Sequence, residues 1–177
     1  ITAGQGTNTV TVAWAHNGTG TISVTETNPD GCDTTVEANN IFINPRPAPV
    51  LVGDTSVCRN TTGHVYTTPD VAGDTYNWSV TGGIITAGQG TNSITVTWLH
   101  NGIGTITLTE TNSFGCDTTL TANNIYIDPR PAPVLTGDTS VCRNTDGHVY
   151  STPSVAGNTY SWSVTGGTIT DGQGTNS

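Results

Sequence analysis

Lysine and methionine are absent from this 177-residue chain, and four arginines supply all of its permanent positive charge. Without lysine no Lys–Asn isopeptide crosslink can form, so any stiffening of the chain must come from other chemistry. Thirteen acids bring the formal net charge to −9. Binding nucleic acid needs basic side chains to neutralise phosphates, so this balance disfavours nucleic acid as a partner. It disfavours an anionic membrane surface for the same reason. No apolar run approaches the ~20 residues that cross a bilayer, so no membrane insertion is expected of this segment. Long helix-forming stretches are missing as well. What remains is rich in threonine, glycine and asparagine, with β-branched residues alternating with turn formers, which predicts an all-β protein.

The chain also repeats itself. Ile1–Asn8 returns as Ile85–Asn92, and again in slightly altered form as Ile169–Asn176, with a period of 84 residues. A fixed period of this size means one module used in tandem. Function then points away from a single active site and toward an array that supplies length and number. Because the numbering starts inside a repeat, targeting signals are expected outside this stretch.

The natural joints are Asn44-Pro45-Arg46-Pro47-Ala48-Pro49 and its copy Asp128-Pro129-Arg130-Pro131-Ala132-Pro133. Alternating proline cannot enter a central sheet and keeps the backbone extended. One complete module is therefore expected at 46–129, with the C-terminal half of another at 1–45 and the N-terminal half of a third at 130–177. Inside the complete module, strands are predicted at 49–52 with 56–58, then at 64–67, 74–81, 93–99, 104–111 and 118–127, with a break at Gly82-Gly83. Tyr76, Trp78 and Val80 share one face of their strand, as do Ile94, Val96 and Trp98 of theirs. His100-Asn101-Gly102 reads as a tight turn. About seven short strands bounded by turn residues suggest a two-sheet sandwich.

Several motifs then fall in order: Tyr76-Asn77-Trp78-Ser79-Val80-Thr81-Gly82-Gly83, Gly88-Gln89-Gly90-Thr91-Asn92, Val96-Thr97-Trp98, and Thr109-Glu110-Thr111-Asn112-Ser113-Phe114-Gly115-Cys116. This set resembles the PKD-like, immunoglobulin-like repeats of very large surface proteins of Bacteroidota-type bacteria, many of which are similar to adhesins exported by type IX secretion. The resemblance implies a seven-stranded sandwich and an extracellular, cell-surface address. It implies no particular ligand.

Two cysteines per module, Cys58 and Cys116 with equivalents Cys142 and Cys32, in an acidic chain of this kind read as a disulfide pattern. Pairing of Cys58 with Cys116 inside the module is the favoured expectation, over a link such as Cys32–Cys58 between neighbours. Complementary half modules raise a further alternative, in which neighbouring chains complete each other head to tail and pair Cys142 with Cys32.

Catalysis is not expected. His64 and His148 sit in Gly-His-Val-Tyr, and His16 and His100 adjoin Asn-Gly turns, but no serine or cysteine nucleophile accompanies them in a recognisable motif. Of the acids, Asp54, Glu110 and Asp117 keep acidic counterparts in Asp138, Glu26 and Asp33. No cofactor is expected. Calcium at a loop or joint is the rival reading, set against plain surface acids, since no D-x-D-x-D-G loop is present. Trp78 and Trp98 fall in phase with aliphatic neighbours, which favours core packing over stacking on sugars. Thr105, Thr107, Thr109 and Thr111 form a T-x-T series on one strand, too few for an ice-binding face. Asp33-Thr34-Thr35 and Asp117-Thr118-Thr119 resemble the bacterial D-S/T-x acceptor, which makes Thr34 and Thr118 candidate O-glycosylation sites.

The reading that joins these features is a non-enzymatic stalk or filament segment of a giant extracellular adhesin, whose partners are the neighbouring modules of its own chain and a surface ligand or glycan not specified by this stretch. The alternatives are a glycan-binding accessory module of a secreted polysaccharide-degrading enzyme and a fibre built from complementing half modules.

Overall fold

Alternating apolar and polar residues make strands here, and glycine–asparagine clusters end them. The structure is a computed structural model that describes residues 1–177 apart from the side chain of Asn123. Among the described residues there are nine strands and no helix. Two compact units are present, Ile1–Pro129 and Arg130–Ser177.

In the first unit, β1 (Gly18–Thr27) and β2 (Asp33–Ile43) form an antiparallel hairpin. Then follow β3 (Ser56–Cys58), β4 (His64–Thr67), β5 (Thr75–Thr81), β6 (Gly83–Ala87), β7 (Ser93–Trp98), β8 (Gly102–Thr111) and β9 (Asp117–Asp128). One sheet has the order β3-β9-β8-β5, and the other has the order β4-β7-β6. β3 runs parallel to β9, and the other pairs are antiparallel. Strict alternation on β7 and β8 turns Ile94, Val96 and Trp98 toward Ile106 and Leu108. Tyr76 and Trp78 of β5, Ile125 and Ile127 of β9, Val57 of β3 and Tyr66 of β4 complete the buried cluster. Every member lies between residues 51 and 127, so this sandwich buries its core without help from the hairpin.

Two crossings between the sheets depend on glycine. Val52 bridges Thr67 beside β4, and four residues later β3 lies on β9 in the other sheet. The corner is Gly53, where an added Cβ would run into the Tyr66 ring. Gly82-Gly83, expected as a break, is a second corner that leads straight into β6, a strand the alternation of residues did not predict. Gly82 has φ 84°, and a Cβ on Gly83 would stand 2.7 Å from the Thr97 carbonyl oxygen, so only glycine lets the chain turn this close to β7.

The thrice-repeated Gly-Gln-Gly-Thr-Asn segment caps the open edge of β5. Gln89 donates from Nε2 to the Trp78 carbonyl at 2.8 Å and accepts from the Trp78 N–H at 3.1 Å, in place of a neighbouring strand. The indole Nε1 of Trp78 donates to the Thr91 carbonyl at 2.8 Å.

The β1–β2 hairpin has the register of β8–β9: Gly18 faces Ile43 as Gly102 faces Ile127, and the bulges fall at Gly20/Ile22 and Gly104/Ile106. Its apolar side has no second sheet over it. Val24 is 61% exposed, whereas its counterpart Leu108 is 1% exposed. The second unit, 130–177, keeps the local contacts of a module front: Thr136 bridges Ser151, and Trp162 Nε1 donates to the Thr175 carbonyl at 2.8 Å.

Candidate functional site

The Pro-rich joint offers carbonyl oxygens but few N–H groups, so anything that holds it must bring donors. The β8–β9 turn and the start of β9 bring three. Asn112 donates from Nδ2 to the Pro45 carbonyl at 2.8 Å, while its Oδ1 accepts from the N–H groups of Phe114 (3.1 Å) and Cys116 (3.0 Å). Thr118 Oγ1 donates to the Pro47 carbonyl at 2.7 Å. The Cys116 thiol lies 3.9 Å from the Asn44 carbonyl oxygen. The complete module thus clasps the segment through which its chain enters. Asn28, Cys32 and Thr34 occupy the same positions of the repeat, and that recurrence was the sequence signal for a clasp that spacing alone did not reveal.

This geometry corrects one expectation and bears on another. Cys58 ends β3 opposite Asp128, and Cys116 immediately precedes β9, which begins at Asp117. The length of β9 therefore separates them, roughly 35–40 Å at ~3.3 Å per residue. A disulfide needs Cα atoms within about 7 Å. The intramodule Cys58–Cys116 pair is excluded, and all four cysteines are free. A Cys142–Cys32 pair inside a module completed by two chains would meet the same separation, since those residues hold the same two positions. The other concerns Thr118. Its hydroxyl is half-buried and donates to Pro47, and an O-linked sugar would remove that donor. Thr34 is exposed.

A second constellation was not anticipated as a unit. His64 Nδ1 lies 2.8 Å from Asp54 Oδ2, and Nε2 lies 2.7 Å from Thr61 Oγ1. Asp138, Thr145 and His148 repeat it at 2.7 Å for both contacts. Hydroxyl, imidazole and carboxylate in line have the order of a nucleophile triad. Its surroundings favour a loop lock instead. Thr61 Oγ1 also approaches the Cys58 carbonyl at 2.5 Å. The N–H groups of Arg59, Asn60 and Thr61 donate to Asp128, Trp98 and Cys58, so none of the three is left for an oxyanion. The depression beside Asp54, lined by Leu51, Gly53, Tyr66 and Ile125, holds about 240 Å³, below the usual ligand-pocket range of about 300–1,000 Å³.

Glu110 is buried at 3% exposure on β8. Burial pushes its carboxyl above the ordinary 4.5, and a hydrogen bond and the charge of Asp74 push it the same way. A carboxyl with a raised folded-state value favours folding below its unfolded-state value, and that advantage is lost as pH climbs through the folded one. Glu110→Gln is therefore expected to raise the urea midpoint at pH 7 and to leave it unchanged below about pH 4. An equal gain at both pH values would refute the assignment.

The tryptophans of the complete module offer no stacking surface: Trp78 is 2% and Trp98 0% exposed. The threonine series extends beyond the single strand expected. Thr107 pairs with Thr121 at 3.1 Å and Thr109 with Thr119 at 2.9 Å, and Thr105 bonds Thr81, so the hydroxyls of three adjacent strands satisfy one another. Among the described residues, no three of His, Cys, Asp and Glu converge as a cation site would require.

A search of curated proteins finds no match to this chain. The profile of the PKD-like domain family matches residues 44–125 and again 128–177. Those two stretches hold most of the sequence and begin at the two proline joints. The β-sandwich and this match agree, and the chain belongs to the PKD-like domain family.

Proposed function

We propose that this chain is a non-enzymatic stalk segment of a large extracellular bacterial surface adhesin of the type IX-secreted kind, in which each module adds reach and orders the joint through which its chain enters. The observation that carries this reading is the clasp of Asn112 and Thr118 on the carbonyls of the entering joint. An array that only tethered would gain nothing from ordering a linker, whereas a spacer that must stand away from a surface does. Sparse charge, self-satisfied threonine hydroxyls and prolines at every joint suit a protease-exposed exterior. The buried tryptophans count against the glycan-binding alternative.

The test is the joint itself. Asn112→Asp combined with Thr118→Val removes the two hydrogen bonds to the joint, worth about 1 kcal/mol each, from a contact outside the core, while the carboxylate still accepts from the N–H groups of Phe114 and Cys116. The sandwich is expected to keep nearly its full denaturation midpoint. Backbone NMR order parameters at Arg46 and Ala48 should fall from the rigid level of about 0.85 to below about 0.6. Unchanged order there, or specific retention of the wild-type chain on a glycan array, would contradict the proposal.

A further inference from the structure

Cys58 and Cys116 stand at opposite ends of one module, yet they share a place when modules follow one another. Cys58 has Asp128 as its Cα partner across the β3–β9 pairing, and the next N–H, that of Arg59, donates to the Asp128 carbonyl at 2.8 Å. The Cys116 thiol faces the carbonyl of Asn44. Asn44 and Asp128 are one position of the repeat: each directly follows an equivalent isoleucine, Ile43 and Ile127, and those pair in the same register with Gly18 and Gly102. At the joint around residue 44, a preceding module would bring its own terminal β3 cysteine opposite Asn44. Its following N–H would then point at the carbonyl that Cys116 already faces. Cα atoms across such a pairing lie ~4.8 Å apart, which sets that cysteine beside Asn44, and the Cys116 thiol lies 3.9 Å from the Asn44 carbonyl oxygen; a disulfide tolerates Cα separations of about 4.4–6.8 Å. Both cysteines would thereby be brought to the backbone of one residue, Asn44.

We propose that successive modules are laced by disulfides, each joining Cys58 of one module to the cysteine that holds the Cys116 position in the module after it. This rests on the tandem reading of the repeat. Two thiols lose two protons and two electrons, and an external disulfide accepts them and is reduced to two thiols. Cys58 is exposed and Cys116 half-buried, so an oxidant can reach the pair. In a longer array the partners of both would fall outside residues 1–177, one 84 residues after Cys116 and the other 84 before Cys58. Lacing would also provide a covalent bypass. Force entering at Cys58 would cross to the following module and travel only the 26 residues that separate a Cys116 position from the next Cys58 position, as from Cys116 to Cys142, before the next bridge. Most of the backbone would then bear no load.

The experiment uses the full chain followed by one further period, residues 94–177 repeated after Ser177. It is incubated folded with glutathione disulfide, alkylated, digested without reductant and mapped by mass spectrometry. The expected result is Cys58 joined to the added copy of Cys116, with the original Cys116 alkylated. Cys58→Ser should abolish that crosslink and leave the denaturation midpoint of the reduced chain unchanged. Alkylated Cys58, or Cys58 joined to the original Cys116, in a cooperatively folded chain overturns the lacing alone. An extended chain that does not fold cooperatively overturns the tandem reading and the lacing with it.

Discussion

Replacing Trp98 by alanine is expected to cost the 46–129 sandwich ~3–5 kcal/mol. The indole is fully buried at the centre of the core cluster, meets Tyr66 edge-on at 6.0 Å and 84°, and donates from Nε1 to the Tyr66 hydroxyl at 3.2 Å. Truncation therefore removes one of the two largest side chains of the core and leaves the Tyr66 hydroxyl, whose ionisation burial pushes to higher pH, without the donor it accepts from. Tyr66 in turn donates to the Asp54 carbonyl at 3.1 Å, so the loss spreads to the corner where the chain changes sheets. Domains of this size have total stabilities of about 5–15 kcal/mol, and the variant should be largely unfolded at modest urea. Urea denaturation followed by far-UV circular dichroism reads this directly. A loss below about 1 kcal/mol would mean that Trp98 is not where the structure puts it.

The second large effect is expected at a residue with no side chain. A Cβ on Gly104 would collide with the Trp98 ring and stand 3.0 Å from Ile127 Cδ1. Gly104→Val is expected to cost ~1–3 kcal/mol through overpacking, because the ring, held by Tyr66 and pressed by Gly83, has nowhere to move. The chain carries its own control. Gly20 meets Trp14 and Ile43 in the same way, but Trp14 is 41% exposed and can swing aside. Gly20→Val should therefore change the denaturation midpoint far less than Gly104→Val. Equal losses from the two variants would show that the strain lies in the bulged backbone rather than in the buried indole.

Sequence and structure agree where the physics is local. Period-two alternation identified β5, β7 and β8 with their inward faces, because each inward residue has its polar partner next to it in the chain. Trp78 and Trp98 were legible as core for the same reason. β6 escaped because Gly82-Gly83 has the composition of a break, and only the Trp98 ring and the Thr97 carbonyl, known once the sheets are packed, make it a corner. The clasp escaped because Asn112 and Thr118 meet carbonyls 67 and 71 positions away. Spacing in sequence does not tell which end of a strand a residue occupies. That is why Cys58 and Cys116 read as a pair although β9 holds them apart, and why Asp54, Thr61 and His64 were not seen as one lock. Their joint recurrence as Asp138, Thr145 and His148 was the available signal.

The central claim is that residues 46–129, from one proline joint to the next, form a self-contained mechanical unit. Stretching single reduced chains held at their two ends tests it most directly. The account predicts one dominant, sharp unfolding event that releases the contour of this module, roughly 280–300 Å at ~3.3–3.6 Å per residue, less its folded span. Smooth extension without such an event, or a single event that releases all 177 residues at once, would contradict it.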